Sequence, residues 1–287
     1  MKLPKISVIT PSYNQGQYLE ETILSVLSQN YPNLEYIIMD GGSTDNSVEV
    51  IKKYASQITY WQSEKDKGQA DAINKGFERA TGDILCWLNS DDYYTPGTLQ
   101  FVANTLDCQK KEILFGEVNH FKESDGSYLM SNVSNKLKNY RLELYDYIIQ
   151  PGSFWTRKTW EQTGVLNTEL HFVFDWDWFL RAQQNQTKFT YTHRNMAVYR
   201  IHEAHKTGTG GEKRIKEIEY MLRAYSNEKI LNAYIFMRDH RKKVDEVLNF
   251  MVNKKLTRFD MKALRLAYPS KLLSITDIEL RQLYELS

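Results

Sequence analysis

The sequence predicts an α/β fold with a mostly parallel sheet flanked by helices, followed by a helical extension. Three observations predict it. The first 106 residues alternate short apolar runs with helix-period segments. Each apolar run ends in a cluster of polar or turn residues. Beyond Gly210-Gly211 long helical periodicity takes over. At 287 residues the chain suits one large or two small domains, and either buries a core without staples.

The elements follow in order. Lys5 to Thr10, Leu34 to Met39, Thr59 to Gln62 and Asp83 to Leu88 read as strands, each ending at a cluster of polar or turn residues. Leu19, Ile23, Val26 and Leu27 share one helical face; so do Ala70, Ile73, Phe77 and Ala80, and again Leu99, Val102, Ala103 and Leu106. Those faces cover the sheet. From 107 to 211 the pattern is less regular, with strand-like stretches at Ile113 to Phe121 and Ala197 to His202 and a short helix over Asp175 to Gln184. In the extension, Ile215, Ile218, Leu222 and Tyr225 form one stripe and Val244, Val247, Leu248 and Met251 another. Thr276 and Glu279 have the spacing of a capping box, which predicts a last short helix. A domain boundary is expected between 211 and 212.

Charge and composition narrow the function. Lys+Arg 37 against Asp+Glu 36 leaves +1, so no bulk attraction draws the chain to nucleic acid or a membrane, and any basic contact must be local. Hydrophobic residues make up 41%, and no apolar run approaches the length of a membrane span. The start MKLPKISVIT lacks an apolar export region, which predicts a cytoplasmic protein. Cys86 and Cys108, without a Cys-x-x-Cys, read as reduced thiols. Residues 212–287 hold 16 basic against 11 acidic side chains, a net +5, leaving −4 on the rest. This mildly basic tail reads either as a solvated helical face or as a peripheral contact with an anionic membrane surface on the cytosolic side.

Neither a G-x-G-x-x-G after the first strand nor a G-x-x-x-x-G-K-[ST] is present, so dinucleotide and P-loop cradles are excluded. Three polar clusters instead sit at strand ends: Pro11-Ser12-Tyr13-Asn14, Asp40-Gly41-Gly42-Ser43 and Asn89-Ser90-Asp91-Asp92. In open α/β sheets that edge binds ligands. Carboxylates there are hard oxygen donors, and Mg²⁺ or Mn²⁺ commonly takes one or two of them together with substrate phosphates. Asp91 is placed for this; the alternative is that Asp91 and Asp92 only cap the helix beginning near Pro96.

The stretches KISVITPSYNQGQYLEETILSVLSQNYPNLEYIIMDGGSTDNS and SEKDKGQADAINKGFERATGDILCWLNSDD resemble family 2 of the inverting glycosyltransferases, with the GT-A fold, over about residues 4 to 205. The resemblance implies a catalytic domain over 1–211 and leaves the helices of 212–287 outside it. It assigns Thr10, Pro11 and Tyr13 to the border of the nucleotide base and Asp40 to base or ribose. The stretch from Asp66 to Asp71 would line the nucleotide, with Asp71 near base and ribose. Asn89-Ser90-Asp91 stands at the family's D-x-D metal motif with its first Asp replaced by Asn, so Ser90 falls at the nucleotide and Asp91 at a divalent metal, Mn²⁺ or Mg²⁺.

Further along, Asp175 matches the general base, although the Glu that precedes it in the family is Phe174 here. Asp177 stands four before Arg181, a spacing suited to an intrahelical ion pair. His202 matches a metal-ligating His of the carboxyl-terminal motif, with His205 as a lesser candidate, and Arg200 either meets the diphosphate or pairs with a core carboxylate. Gln150 and Trp176 fall near the acceptor; tryptophans such as Trp155 and Trp176 are more often core.

The implied activity is transfer of a sugar from a nucleotide-diphosphate-sugar, a UDP-sugar, to a hydroxyl acceptor in surface polysaccharide or glycolipid assembly. Two other classes compete. A sugar nucleotidyltransferase needs a basic Gly-rich first loop, and Pro11 to Gly16 has no Lys or Arg. A nucleotide-sugar-binding protein without catalysis would bind donor and form no product.

Overall fold

The computed structural model describes residues 3–203 and 210–287. His205 and Lys206 of the last motif lie outside the described residues. Contacts divide the chain into two compact units, one of residues 1–134 and 148–214, the other of 135–147 and 215–287. The boundary expected between 211 and 212 thus falls three residues later. The helical unit also takes in 135–147, a segment whose partners lie more than a hundred residues away in sequence: Gln282 Nε2 donates to the Arg141 carbonyl at 2.8 Å.

In the first unit the chain runs β1 (Ile6–Ser12), α1 (Gly16–Leu27), β2 (Leu34–Asp40), α2 (Ser47–Lys53), β3 (Tyr60–Ser63), α3 (Gln69–Arg79), β4 (Ile84–Trp87), β5 (Tyr93–Tyr94), α4 (Thr98–Thr105), β6 (Glu112–Lys122) and β7 (Ser127–Met130). After α5 (Val133–Asn139) come β8 (Ser153–Thr156), α6 (Arg157–Thr163), α7 (Phe174–Gln184) and β9 (Lys188–Ile201). The strands form one sheet in the order β3-β2-β1-β4-β8-β6-β9-β5, with β7 paired to β6.

β1, β2, β3 and β4 are mutually parallel, as apolar strands linked through helices must be. β8 is antiparallel to both β4 and β6, so β6 and its parallel partner β9 run in the same direction as β1 to β4. All these strands therefore deliver their carboxyl ends to one edge. Register fixes what meets there: Ser12 pairs with Asp40, and Asp40 with Ser63. The chain leaves β1 toward β2 on one side and returns as β4 on the other, which opens a crevice at the switch point.

The core explains the sequence pattern. Ile6, Val8, Leu19, Ile23, Val26, Ile38, Ile84 and Cys86 pack in one cluster with exposures of 0%. α3 lies close on the sheet because position 76 is glycine: a Cβ there would come within 2.4 Å of the Ile9 side chain. Cys86 and Cys108 are free thiols.

The second unit contains α8 (Gly211–Tyr225), α9 (Glu228–Asp239), α10 (Arg241–Asn253), α11 (Asp260–Ala267), α12 (Pro269–Leu272) and α13 (Asp277–Leu286). α8 begins in the first unit and continues into the second. The Thr276–Glu279 capping box is formed at the start of α13. No helix among the described residues is long and apolar enough to cross a membrane.

Candidate active site

The crevice is built from three loops that hold one another. Asn14, in the left-handed region at φ 51, donates its N–H to Ser43 Oγ at 2.8 Å, and its Oδ1 accepts from Thr44 N at 2.8 Å. The loop after β1 is therefore tied to the loop after β2. Thr22 of α1 reaches the turn after β4, its hydroxyl lying 2.9 Å from the Ser90 carbonyl and 2.7 Å from that of Asp92. Tyr13 stands 61% exposed at the lip, whereas Thr10 is fully buried with its hydroxyl 3.1 Å from that of Tyr36. Only Tyr13 of the first-strand motif faces solvent; the Thr10 hydroxyl is withheld from any ligand by the core.

Asp40 is 2% exposed and has four donors around it: Gly42 N at 3.2 Å, Ser43 N at 2.9 Å, Ser43 Oγ at 2.5 Å and Ser63 Oγ at 2.6 Å. A carboxylate has about four acceptor sites. Asp40 spends them inside its own turn. The neighbouring Gly41 leaves a gap, and Asp66 fills it: a Cβ at position 41 would come within 2.6 Å of Asp66 Oδ2. Asp66 Oδ1 accepts from Gly68 N at 2.8 Å, and Oδ2 has no hydrogen-bond partner among the described residues. Asp71, by contrast, is occupied, accepting from Lys67 N at 3.0 Å and pairing with Lys75 at 2.8 Å. Burial pushes its carboxyl up, but Lys75 and the Lys67 N–H outweigh that and hold it below its ordinary range.

The acidic turn after β4 meets the end of β9. His202 Nε2 lies 3.1 Å from Asp91 Oδ2, and the Arg200 N–H donates to Asp92 Oδ1 at 3.0 Å. Asp92 is fully buried; desolvation and the adjacent Asp91 charge push its carboxyl well above the ordinary range. Asn89 bridges neighbours, accepting from Gln69 Nε2 at 2.7 Å and donating to Asp92 Oδ2 at 3.2 Å. Tyr18 packs its ring 4.6 Å from that of His202 and donates to Glu123 at 2.9 Å. Burial and this bond push the Tyr18 hydroxyl up to about 12, so it stays a donor.

Divalent metal chemistry fits this donor set. Neighbouring ligands of a six-coordinate ion with bonds of about 2.1 Å stand about 3 Å apart, and Asp91 and His202 are separated by that much. No group of three or more metal-ligating side chains occurs among the described residues. Two protein ligands plus phosphate oxygens is the usual supply for Mg²⁺.

The start of α7 lies against the same region, with Phe174 and Trp87 ring centroids 6.1 Å apart. Every residue from Val173 to Leu180 is buried except Asp175, which is partly exposed. Asp177 is buried and paired with Arg181 Nε at 2.8 Å, as its spacing predicts.

A model of Glycosyl transferase family 2 matches residues 7–163, more than half of the chain. The chain belongs to glycosyltransferase family 2. An uncharacterized family relative from Nostoc sp. is 31% identical over 216 residues, 70% of this chain and 66% of its own length. The chain spans 53% of the length of a relative from Haemophilus influenzae, 66% of the Nostoc one and 42% of one from Streptococcus pneumoniae. Among solved structures, S. aureus TarS 1-349 in complex with UDP superposes at a TM-score of 0.62 with 16% identity, covering 98% of this chain and 90% of that one. Mannosyltransferase PcManGT from Pyrobaculum calidifontis, in complex with GDP-Man and Mn²⁺, gives 0.56 at 16% identity over 99% and 86%. These likenesses show the fold, which is GT-A as the motifs imply.

In this family 2 chain the structure brings Asp91, Ser90, His202 and Arg200 together and withholds others. Trp176 is 2% exposed and Trp155 is fully buried, so neither presents a face to a sugar. Gln150 is buried, donates to the Trp87 carbonyl at 2.9 Å and leaves Oε1 without a partner. The Arg200 guanidinium donates to the Asp91 carbonyl at 3.0 Å, pairs with the exposed carboxylate of Glu21 and lies over the Tyr18 ring. Within the stretch from Asp66 to Asp71 that the motifs set along the nucleotide, the sequence singles out Asp71, whereas the structure occupies Asp71 and leaves Asp66 Oδ2 open on the working edge of the sheet, just past β3.

Proposed function

We propose that this chain transfers a sugar from a nucleoside-diphosphate donor, a UDP-sugar, to a hydroxyl of a sugar or lipid-linked acceptor, with inversion at the anomeric carbon. The observation that carries the reading is the 3.1 Å approach of His202 to Asp91 at the switch-point edge of the sheet. Asp91 and His202 would hold Mn²⁺ or Mg²⁺, which when bound supplies positive charge against the diphosphate. The nucleotide-bound state of TarS and the GDP-Man and Mn²⁺ of PcManGT support that ligand class.

Asp175 takes the proton of the acceptor hydroxyl. The acceptor oxygen bonds to the anomeric carbon while the bond from that carbon to the diphosphate breaks, and the electron pair departs with the diphosphate. One displacement inverts the centre. Tyr13 covers a face of the base, and Asp66 Oδ2 accepts its imide N–H. Asp40 shapes the turn from within, and Asp71, through Lys75, fixes the start of α3 beside Asp66. Ser90 acts through its backbone in the nucleotide-facing turn.

The test is to incubate the chain and Mn²⁺ with a panel of nucleotide-sugars and sugar or lipid-linked acceptors, and to follow nucleoside diphosphate release and the anomeric configuration by NMR. Release from one donor with an inverted product is the expected result. Donor binding without product under every acceptor would leave a nucleotide-sugar-binding protein instead.

A further inference from the structure

The helical unit carries a surface that its own packing does not use. Between residues 250 and 273, Phe250, Val252, Leu256, Phe259, Leu266 and Leu273 are each 44% to 68% exposed. Their neighbours Val244, Leu248, Met251, Met261 and Leu264 are buried and already satisfy the inner faces of α10 and α11. A helix needs only one apolar stripe to pack, so this second set is in excess.

The same stretch is strongly basic. Lys254, Lys255, Arg258, Lys262 and Lys271 are all exposed and form no ion pair among the described residues. The one acid of the stretch, Asp260, is taken by Arg281 at 2.8 Å, and the remaining cation, Arg265, is bound to Asp277 at 2.6 Å. The net +5 of residues 212–287 is therefore the charge of this segment alone, since it holds six basic side chains and one acidic.

The two properties coincide at one corner. α10 ends at Asn253, Lys255 turns the chain at φ 57, and a short 3-10 turn over Thr257–Phe259 leads into α11. Within ten residues, 250 to 259, four exposed apolar side chains alternate with Lys254, Lys255 and Arg258. Long cationic side chains extend their heads toward phosphates while apolar neighbours enter hydrocarbon, which is the demand of a headgroup layer. A purely apolar partner would leave these cations desolvated without counter-charge.

We infer that the α10–α11 corner docks on an anionic phospholipid surface, with Phe250, Leu256 and Phe259 inserted and Lys254, Lys255 and Arg258 at the headgroup phosphates. The inference is independent of sugar transfer and stands or falls without it.

The test is co-sedimentation of the full chain with vesicles of phosphatidylcholine alone or with 30% phosphatidylglycerol (roughly the anionic content that gives an appreciable surface potential). Binding to the anionic vesicles only, weakened at least tenfold by K254E/K255E/R258E and separately by F250S/F259S, is the expected result. Both variants change exposed side chains, and unchanged thermal unfolding checks that they fold. Equal binding to both vesicle types, no binding to either, or wild-type binding by both variants overturns the proposal. Loss of a dimer in the F250S/F259S variant by analytical ultracentrifugation, with no vesicle binding by the parent, would assign the corner to a second copy of the chain and likewise overturn it.

Discussion

Asp66 occupies the space that a side chain at position 41 would need: its Oδ2 lies 2.6 Å from where a Cβ on Gly41 would stand. Position 41 follows the buried, saturated Asp40, so the carboxylate presented at this point of the edge comes from the next loop. The pair acts as one unit split across two segments. Because Asp66 is a short, half-exposed side chain held by a single hydrogen bond from Gly68 N, G41A is expected to displace the carboxylate rather than to unfold the chain. Nucleoside diphosphate affinity by calorimetry should fall about tenfold in G41A and in D66A, while G41A/D66A falls well short of the product of the two, as expected of residues in contact. Multiplicative losses would separate the two residues.

The approach of His202 to Asp91 makes the metal response specific. D91N and H202A are each expected to weaken donor-nucleotide binding by about tenfold or more in Mn²⁺, on the scale seen when one ligand of a metal site is disturbed. In chelator the variants and the parent should bind alike. Equal affinity with and without metal in the parent chain would remove these two residues from ion binding.

Asp175 is the one accessible residue of an otherwise buried helix start. General-base assistance is worth about 10² to 10⁴ in rate, so D175N should lose that much in kcat with nucleotide affinity unchanged. A variant that turns over normally would exclude Asp175 as the base.

A pH effect is expected at the opposite edge of the sheet. Burial pushes the Glu35 carboxyl up, but hydrogen bonds from Lys5, Ser7 and Thr81 outweigh it and hold it at about 2, against an ordinary 4.5. Because the folded value is the lower one, the stabilisation is complete above pH 4.5 and disappears as the pH falls toward 2. E35Q should cost about 2 kcal/mol at neutral pH, as loss of hydrogen bonds to a charged group does. Its unfolding midpoint in a denaturant series should vary less between pH 4.5 and 2 than that of the parent.

The parallel half of the fold was legible because β1, β2 and β4 are buried nearly throughout and read as largely apolar runs ending at turn residues, with the half-buried β3 marked by its place between two helix-period segments. β5 and β8 were not, being only two and four residues long, with partners that lie far away in sequence. β9 runs from Lys188 but only its last part, near Ala197, carries a strand signal, since its first half is largely exposed or half-buried. In the site, acids at strand ends announced themselves, while which of them remained available did not. Asp40 and Asp66 look alike in sequence; only four donors around one and a glycine beside the other distinguish them. α7 is buried nearly all round, so periodicity gave no stripe along it.

The turn that bears Asp91 is closed by a strand laid down late: Arg200 and His202 reach it across 108 and 111 positions of sequence. Contacts this distant form slowly, because the intervening loop must be closed before they reward it. A nascent chain that has emerged through β4 already owns its apolar sheet yet lacks the clasp, so competence for ligand is delayed until synthesis has passed the last strand.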